Sequence, residues 1–178
     1  MHPIRKPNRL QGYDYSRNAL YFVTSCVQNR ICCFGEIRNN EMFLNDYGKI
    51  AEQQWQWLEK QYPHVVLHSF IVMPNHIHGI IEIVVVGTGR DLSLQQQPQQ
   101  ETTIKSLSDL MGAYKTTTSK KIHLSGLPDF KWQRSFHDHI IHIYGFQIIF
   151  KTILPIGKKI NFTIKRCRCT DRSRPVRT

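Results

Sequence analysis

Apolar residues along this chain follow two spacings, one typical of strands and one typical of helices. Runs rich in β-branched and aromatic residues predict buried strands over residues 19–27, 65–72, 76–86 and about 135–141. Apolar residues three or four positions apart predict a helix capped by Asn45 that runs to about residue 60, and a second helix over residues 104–124. The predicted order is therefore strand, helix, strand, strand, helix, strand.

This order is the split βαβ pattern of ferredoxin-like folds. It predicts an α+β protein with one antiparallel sheet and two helices on one face of it. All of these elements lie in residues 1–141, which we expect to form one domain. Residues 87–103 carry glycines and a glutamine-rich run, a composition typical of a flexible loop.

Charge divides the chain at residue 142. The net charge is +11, and residues 142–178 contribute nine Lys or Arg and one Asp, so +8 lies in this tail and +3 in the first 141 residues. The tail shows no helical capping, and we expect it to be an irregular, disordered basic segment. Because the domain itself is only mildly basic, charge alone is weak support for nucleic-acid binding.

Neither a signal peptide nor a membrane span is predicted. Residues 1–17 are polar and basic and have no apolar centre, and the longest apolar run is far shorter than a bilayer requires. We therefore expect a cytoplasmic protein with no membrane partner.

Two histidines in the third predicted strand are the strongest candidates for chemistry. Because side chains alternate between the faces of a strand, His76 and His78 should point the same way, ~6–7 Å apart along the strand. Such a pair can bind one metal ion, although most His-x-His pairs on strands are simply exposed or hydrogen-bonded. Pro74 predicts a turn just before the pair, and Gly79 leaves room for another backbone or a ligand.

Four segments together resemble a known family. Residues 72–81, Val-Met-Pro-Asn-His-Ile-His-Gly-Ile-Ile, resemble the signature strand of the IS200-like transposases, the single-tyrosine HUH nucleases. The subgroup associated with repetitive extragenic palindromes (REP) is similar in the other segments, which are residues 12–16, residues 34–37 with 44–48, and residues 132–141. The resemblance spans residues 9–141, about four-fifths of the chain.

The resemblance implies a metal-dependent transposase that acts on single-stranded DNA hairpins as a homodimer. His76 and His78, with a third polar ligand, would hold Mg²⁺ or Mn²⁺, which neutralises charge on a DNA phosphate. A tyrosine would then attack the phosphorus, forming a 5′-phosphotyrosine link and freeing a 3′-hydroxyl. The candidate contacts to the DNA phosphates are Lys115, Lys120, Lys121 and Arg134.

The chain departs from the family after Ile141. Family members continue with a helix that ends in Tyr-Ile-x-x-Asn-Pro, which supplies the nucleophile and the third metal ligand, and no such segment follows here. Back-translation of residues 147–163, read one base earlier, permits DYIQNNPANWEKDKFY, which contains the missing pattern. We therefore predict a frameshift near His142 and a chain that cannot cleave DNA. Tyr144 is a weak substitute nucleophile, and Tyr114 is expected to be structural.

Three other interpretations remain at this point. The chain could be a non-catalytic DNA-binding remnant of a transposase, with the lysine-bearing second helix still contacting phosphates. It could also misfold, because loss of the final helix would expose apolar surface. A nucleotide hydrolase of the histidine-triad type is disfavoured, since that class requires a third histidine at the position of Ile80.

Overall fold

The protein forms one four-stranded antiparallel sheet with two helices packed on it. The computed structural model describes residue 10 and residues 12–84 and 104–141. Its elements are β1 (Ala19–Cys26), β2 (Gly35–Arg38), β3 (Glu41–Leu44), α1 (Asp46–Gln61), β4 (Val65–Met73), β5 (His76–Ile83), α2 (Leu107–Leu124) and β6 (His137–Ile141). The four predicted strands and two predicted helices are all present. The predicted flexible loop and the basic tail lie outside the described residues, as does the end of the third predicted strand.

The strand order of the sheet is β4-β5-β1-β6, and each neighbouring pair is antiparallel. If the strands are numbered one to four without β2 and β3, the order is 2-3-1-4, which is that of the split βαβ fold. The predicted α+β, ferredoxin-like class is therefore confirmed. β5 lies in the interior of the sheet, between β4 and β1.

Both helices begin after a capping residue whose side chain accepts a hydrogen bond from a backbone amide in the first turn. The Asn45 side chain accepts a hydrogen bond from the Gly48 amide at 3.0 Å, which confirms the predicted start of α1. At the start of α2, Ser106 and Asp109 form a reciprocal capping box. This box sets the beginning of α2 at Leu107 rather than at residue 104. Neither described helix is long and apolar enough to cross a membrane.

The helices cover one face of the sheet and bury the odd-numbered residues of β5. Ile77, Ile81 and Ile83 belong to the main apolar core. On the helix side, the Tyr114 hydroxyl of α2 donates a hydrogen bond to the Ala51 carbonyl of α1 at 3.2 Å, which ties the two helices together. The even-numbered residues of β5, including both candidate histidines, therefore point to the other face.

Gly79 is required by packing on the helix side rather than by a ligand. A Cβ at this position would overlap the indole ring of Trp55, which lies directly on the glycine backbone. The same indole stacks on Phe70 with ring centroids 4.5 Å apart. The expectation that Gly79 leaves room for another backbone or a ligand is therefore wrong: the side chain of α1 fills that space.

A small hairpin, formed by β2 and β3, precedes α1 and has no counterpart in the predicted order. Its turn residues Asn39 and Asn40 have φ of 51° and 64°. Two successive left-handed residues are the requirement of a type I′ turn, and asparagine tolerates that conformation better than most residues. The Asn-Asn pair was thus the available sequence signal for this hairpin.

Candidate metal centre and nucleic-acid interface

His76 and His78 converge on the face of the sheet that is opposite the helices. Their Nε2 atoms are 3.1 Å apart, and their ring planes meet at 78° with centroids 4.6 Å apart. His76 is 8% exposed and His78 is half-buried. The alternation predicted from the sequence therefore brings the two imidazoles to a common point.

Asn75 fixes the protonation of the first ring. Its side-chain Nδ2 donates to the Arg30 carbonyl at 3.2 Å, which turns Oδ1 towards Nδ1 of His76 at 2.6 Å. An amide oxygen only accepts hydrogen bonds, so Nδ1 of His76 must carry the proton. Its Nε2 is therefore left with a lone pair that faces His78.

Thr24 on β1 supports the second ring. Its hydroxyl lies 2.8 Å from Nδ1 of His78, because β1 and β5 pair these two residues directly. A hydroxyl can either donate or accept, so it supports both neutral tautomers of His78. When Nδ1–H donates to Thr24, the Nε2 lone pairs of both rings point to the same place. Phe22 stacks on the His78 ring at 5.4 Å and limits its rotation.

Both imidazoles are held neutral. Desolvation, and secondarily the Arg30 charge, lower the pKa of His76 from 6.5 to about 4. Desolvation, and secondarily the neighbouring His76, lower the pKa of His78 to about 4. Since metals bind the neutral ring, neither histidine needs to lose a proton at pH 7 before it can bind an ion.

His76 and His78 would hold a divalent ion through their Nε2 atoms, which lie at hydrogen-bond distance, 3.1 Å, from each other. Mg²⁺ and Mn²⁺ both prefer oxygen ligands, which water and a DNA phosphate would supply beside the two imidazoles. Among the described residues, no group of three His, Cys, Asp or Glu side chains could hold a metal.

A basic cleft lies between α2 and the segment before β6. Three of the four predicted DNA contacts, Lys115, Lys120 and Arg134, line this cleft of about 700 Å³ together with Lys131 and His123. None of the described residues that line it is acidic. Lys121 is not part of its lining. A cleft of this composition would attract a phosphate backbone.

The cleft and the histidine pair are separated by one strand. The Gln133 amide, which belongs to the cleft, donates to the Cys26 carbonyl at the end of β1 at 2.8 Å. Cys26 pairs with His76 on its other side. Gln133 is therefore roughly two strand spacings, about 10 Å, from His76. The cleft is formed largely by α2, on the helix side of the sheet, whereas the histidines lie on the opposite face. A nucleic acid that contacts both therefore has to pass around the end of β1.

Lys115 also has a structural function. Its ammonium group donates to the backbone carbonyls of Gln133 at 2.9 Å and Ser135 at 3.2 Å. It also lies 5.7 Å from the centre of the Phe136 ring. Lys115 thus fixes the segment that leads into β6, whereas Lys120 and Arg134 are exposed.

The described tyrosines on the helix side are poor nucleophiles. Tyr114 is fully buried between the helices, and burial raises the pKa of its hydroxyl. Tyr21 is buried on the same side, and desolvation raises its pKa as well. Both lie across the sheet from the histidine pair, so the structural interpretation of Tyr114 agrees with its position. Tyr144 lies outside the described residues.

β6 carries two further histidines on the face of the metal candidates. His137 pairs with Thr24 and His139 with Phe22, and both histidines are exposed. Among the hydrogen bonds of the described residues, none joins His139 to His76 or His78.

Comparison with known proteins gives both a family and a fold. No protein-family model matches the chain. An uncharacterized protein of Haemophilus influenzae is 35% identical over 142 residues, which cover 77% of this chain and 78% of that protein. The chain belongs to the family of this Haemophilus protein. That relationship assigns no activity by itself.

The fold of this family member resembles that of a solved transposase. A REP-associated tyrosine transposase, solved bound to a REP hairpin, aligns with a TM-score of 0.51 and 14% identity over 89% of this chain and 73% of the other. At this identity the similarity shows the fold alone, which is the IS200-like fold. A candidate transposase of Deinococcus radiodurans R1 aligns with a TM-score of 0.48 and 12% identity, from which we infer nothing.

Proposed function

We propose that this protein descends from a transposase of the HUH type and binds single-stranded DNA hairpins with the help of a divalent ion. The observation that carries the proposal is the convergence of two Nε2 atoms at 3.1 Å on the open face of an IS200-like sheet. The solved transposase with this fold was bound to a REP hairpin, which supports DNA as the partner.

Each residue of the proposed site has a defined task. His76 and His78 would hold Mn²⁺ or Mg²⁺, with their orientation set by Asn75 and Thr24. The bound ion supplies Lewis-acid neutralisation of charge on a phosphate oxygen. Lys120 and Arg134 would bind neighbouring phosphates in the basic cleft. Gln133, which lines the cleft, donates its backbone amide to Cys26, the residue that pairs with His76 in the sheet.

We further propose that this chain does not cleave DNA. Tyrosine transesterification needs a hydroxyl that faces the metal-bound phosphate. Tyr21 and Tyr114 are buried on the wrong side of the sheet, and the sequence after Ile141 lacks the Tyr-Ile-x-x-Asn-Pro helix. The nucleotide sequence around codon 142 tests the frameshift: an alternate frame that does not encode this helix would contradict it.

A covalent-adduct assay tests cleavage directly. Purified protein is incubated with a labelled DNA hairpin and Mn²⁺ and then run on a denaturing gel, on which we expect no protein–DNA adduct. The matched control is the chain with its reading frame restored at codon 142. The restored chain should give an adduct that disappears with His76→Ala. An adduct formed by the unaltered chain would contradict the proposed inactivity.

The alternative from another class is a DNA-binding remnant that does not use a metal. Such a protein would bind the hairpin equally well with Mn²⁺ and with a chelator. The metal-dependent proposal predicts weaker binding with the chelator and no metal effect in His76→Ala. We also propose a homodimer, which light scattering on the purified protein would show as a doubled mass.

A further inference from the structure

The short turn Gln28–Arg30 at the end of β1 is held by the backbone on several sides. The Gln28 amide donates to the Lys131 carbonyl at 2.8 Å, and the Arg30 amide donates to the Val27 carbonyl at 3.0 Å. The Arg30 carbonyl accepts from Asn75 Nδ2 at 3.2 Å. The turn is therefore fixed between the basic cleft and the strand that carries the histidine pair.

Arginine occupies a position in this turn where glycine would be easier to accommodate. Asn29 and Arg30 have φ of 56° and 55°, in the left-handed region. Residues other than glycine rarely adopt this backbone conformation unless contacts with their surroundings stabilise it. The presence of arginine at such a position suggests a use for its side chain.

Asn75 joins this turn to the metal candidates. Its Oδ1 contacts His76 Nδ1, while its Nδ2 binds the Arg30 carbonyl. The Arg30 side chain is exposed. Among the ion pairs of residues 12–84 and 104–141, none involves Arg30. A cation without a carboxylate partner in the described residues thus lies beside the proposed metal site.

We propose that Arg30 binds an oxygen of the DNA phosphate that is also bound by the ion at His76 and His78. This inference rests on the proposed function. A guanidinium group presents paired N–H donors that match phosphate oxygens, and it keeps its charge at any pH of interest. Arg30 therefore adds to the site a phosphate contact that the two neutral histidines cannot make.

The test measures DNA affinity and metal affinity separately. Fluorescence anisotropy with a labelled hairpin that carries a single-stranded overhang gives DNA affinity in Mn²⁺, and calorimetry without DNA gives Mn²⁺ affinity. The variants are Arg30→Gln and Arg30→Lys. The control is Arg17→Gln, an exposed arginine before the opposite end of β1.

We expect Arg30→Gln to weaken hairpin binding about tenfold and to lower the slope of log affinity against log salt by about 1. Arg30→Lys should lose less, and Arg17→Gln should match the wild type. Mn²⁺ affinity should not fall in any variant.

Two results would overturn the inference while leaving the proposed function intact. In one, Arg30→Gln and Arg17→Gln bind the hairpin alike. In the other, Arg30→Gln loses Mn²⁺ affinity in the same proportion as DNA affinity, which would show that the residue only supports the turn. A wild-type protein that binds neither Mn²⁺ nor the hairpin would overturn both.

Discussion

The protonation state of two imidazoles determines whether this site can bind metal at physiological pH. Burial lowers the pKa of both His76 and His78 to about 4. Asn75 contacts Nδ1 of His76, and Thr24 contacts Nδ1 of His78, so the Nε2 atom of each ring faces the proposed ion site. The neutral pair thus needs no net loss of a proton before it can bind an ion, because the ring proton of His78 can sit on Nδ1, where the Thr24 hydroxyl accepts it.

A consequence of these pKa values is metal affinity that is insensitive to mild acid. Protons compete with the ion only when the rings are protonated, and rings with a pKa of about 4 stay neutral down to roughly pH 5. We expect Mn²⁺ affinity to change less than about twofold between pH 7.5 and 5.5 and to fall below pH 4. Calorimetry at several pH values measures it. A steep loss near pH 6 would show ordinary, exposed histidines.

Thr24 should affect metal binding without contacting the metal. Replacement by valine keeps the shape of the side chain but removes the hydroxyl that orients His78. Loss of such a partner costs about 10- to 100-fold in metal affinity, and we expect Thr24→Val to lose Mn²⁺ affinity in that range. Thr24→Ser, which keeps the hydroxyl, should retain most of it. Equal affinities of the two variants would contradict the role.

The sequence predicted the histidine pair but not the residues that support it. Strand alternation is a local property, so the common direction of His76 and His78 follows from their spacing alone. Thr24 and Arg30 reach the site only through the pairing of β1 with β5 and through the turn after β1. Register between distant strands cannot be read from one sequence, which is why these partners were not identified.

At the scale of elements, the packing of α1 on one face of β5 leaves the histidines on the other face. Trp55 lies on Gly79, so β5 can approach α1 closely on one face while it carries the histidines on the other. The pattern of apolar residues predicted both elements and the Asn45 cap. It could not predict which helical side chain fills the space above the glycine, because that depends on tertiary packing.

Gly79→Ala should destabilise the fold by overpacking. The added methyl would overlap the Trp55 ring, and such overpacking costs about 1–3 kcal/mol of unfolding free energy. The control is Gly112→Ala in α2, where the added Cβ meets nothing within 4 Å and alanine favours the helix by up to ~1 kcal/mol. Urea denaturation measures both. A Gly79→Ala protein as stable as the wild type would contradict this packing.

At the scale of the whole molecule, the basic cleft and the histidine pair lie on either side of the end of β1. A net charge of +11 did not identify this arrangement, because most of that charge belongs to residues 142–178. What matters is that Lys120, Lys131 and Arg134 come together between α2 and the segment before β6. That placement depends on the fold and could not be read from composition.

The cleft should contribute phosphate contacts that are independent of the metal. We expect Lys120→Gln with Arg134→Gln to lower the salt slope of hairpin binding by about 2, because two phosphate contacts are lost. Lys121→Gln, a neighbour that does not line the cleft, is the matched control. If Lys121→Gln lowers the slope by about half as much as the double variant does, it matches the loss per cleft residue, and the DNA does not follow the cleft.

The most direct test of the account is calorimetric titration of the purified protein with Mn²⁺. We predict one ion per chain, lost in His76→Ala and in His78→Ala. His139→Ala, which removes an exposed histidine from the same face of the sheet, should bind Mn²⁺ as the wild type does. If His76→Ala binds Mn²⁺ as tightly as His139→Ala, the two converging imidazoles are not a metal site.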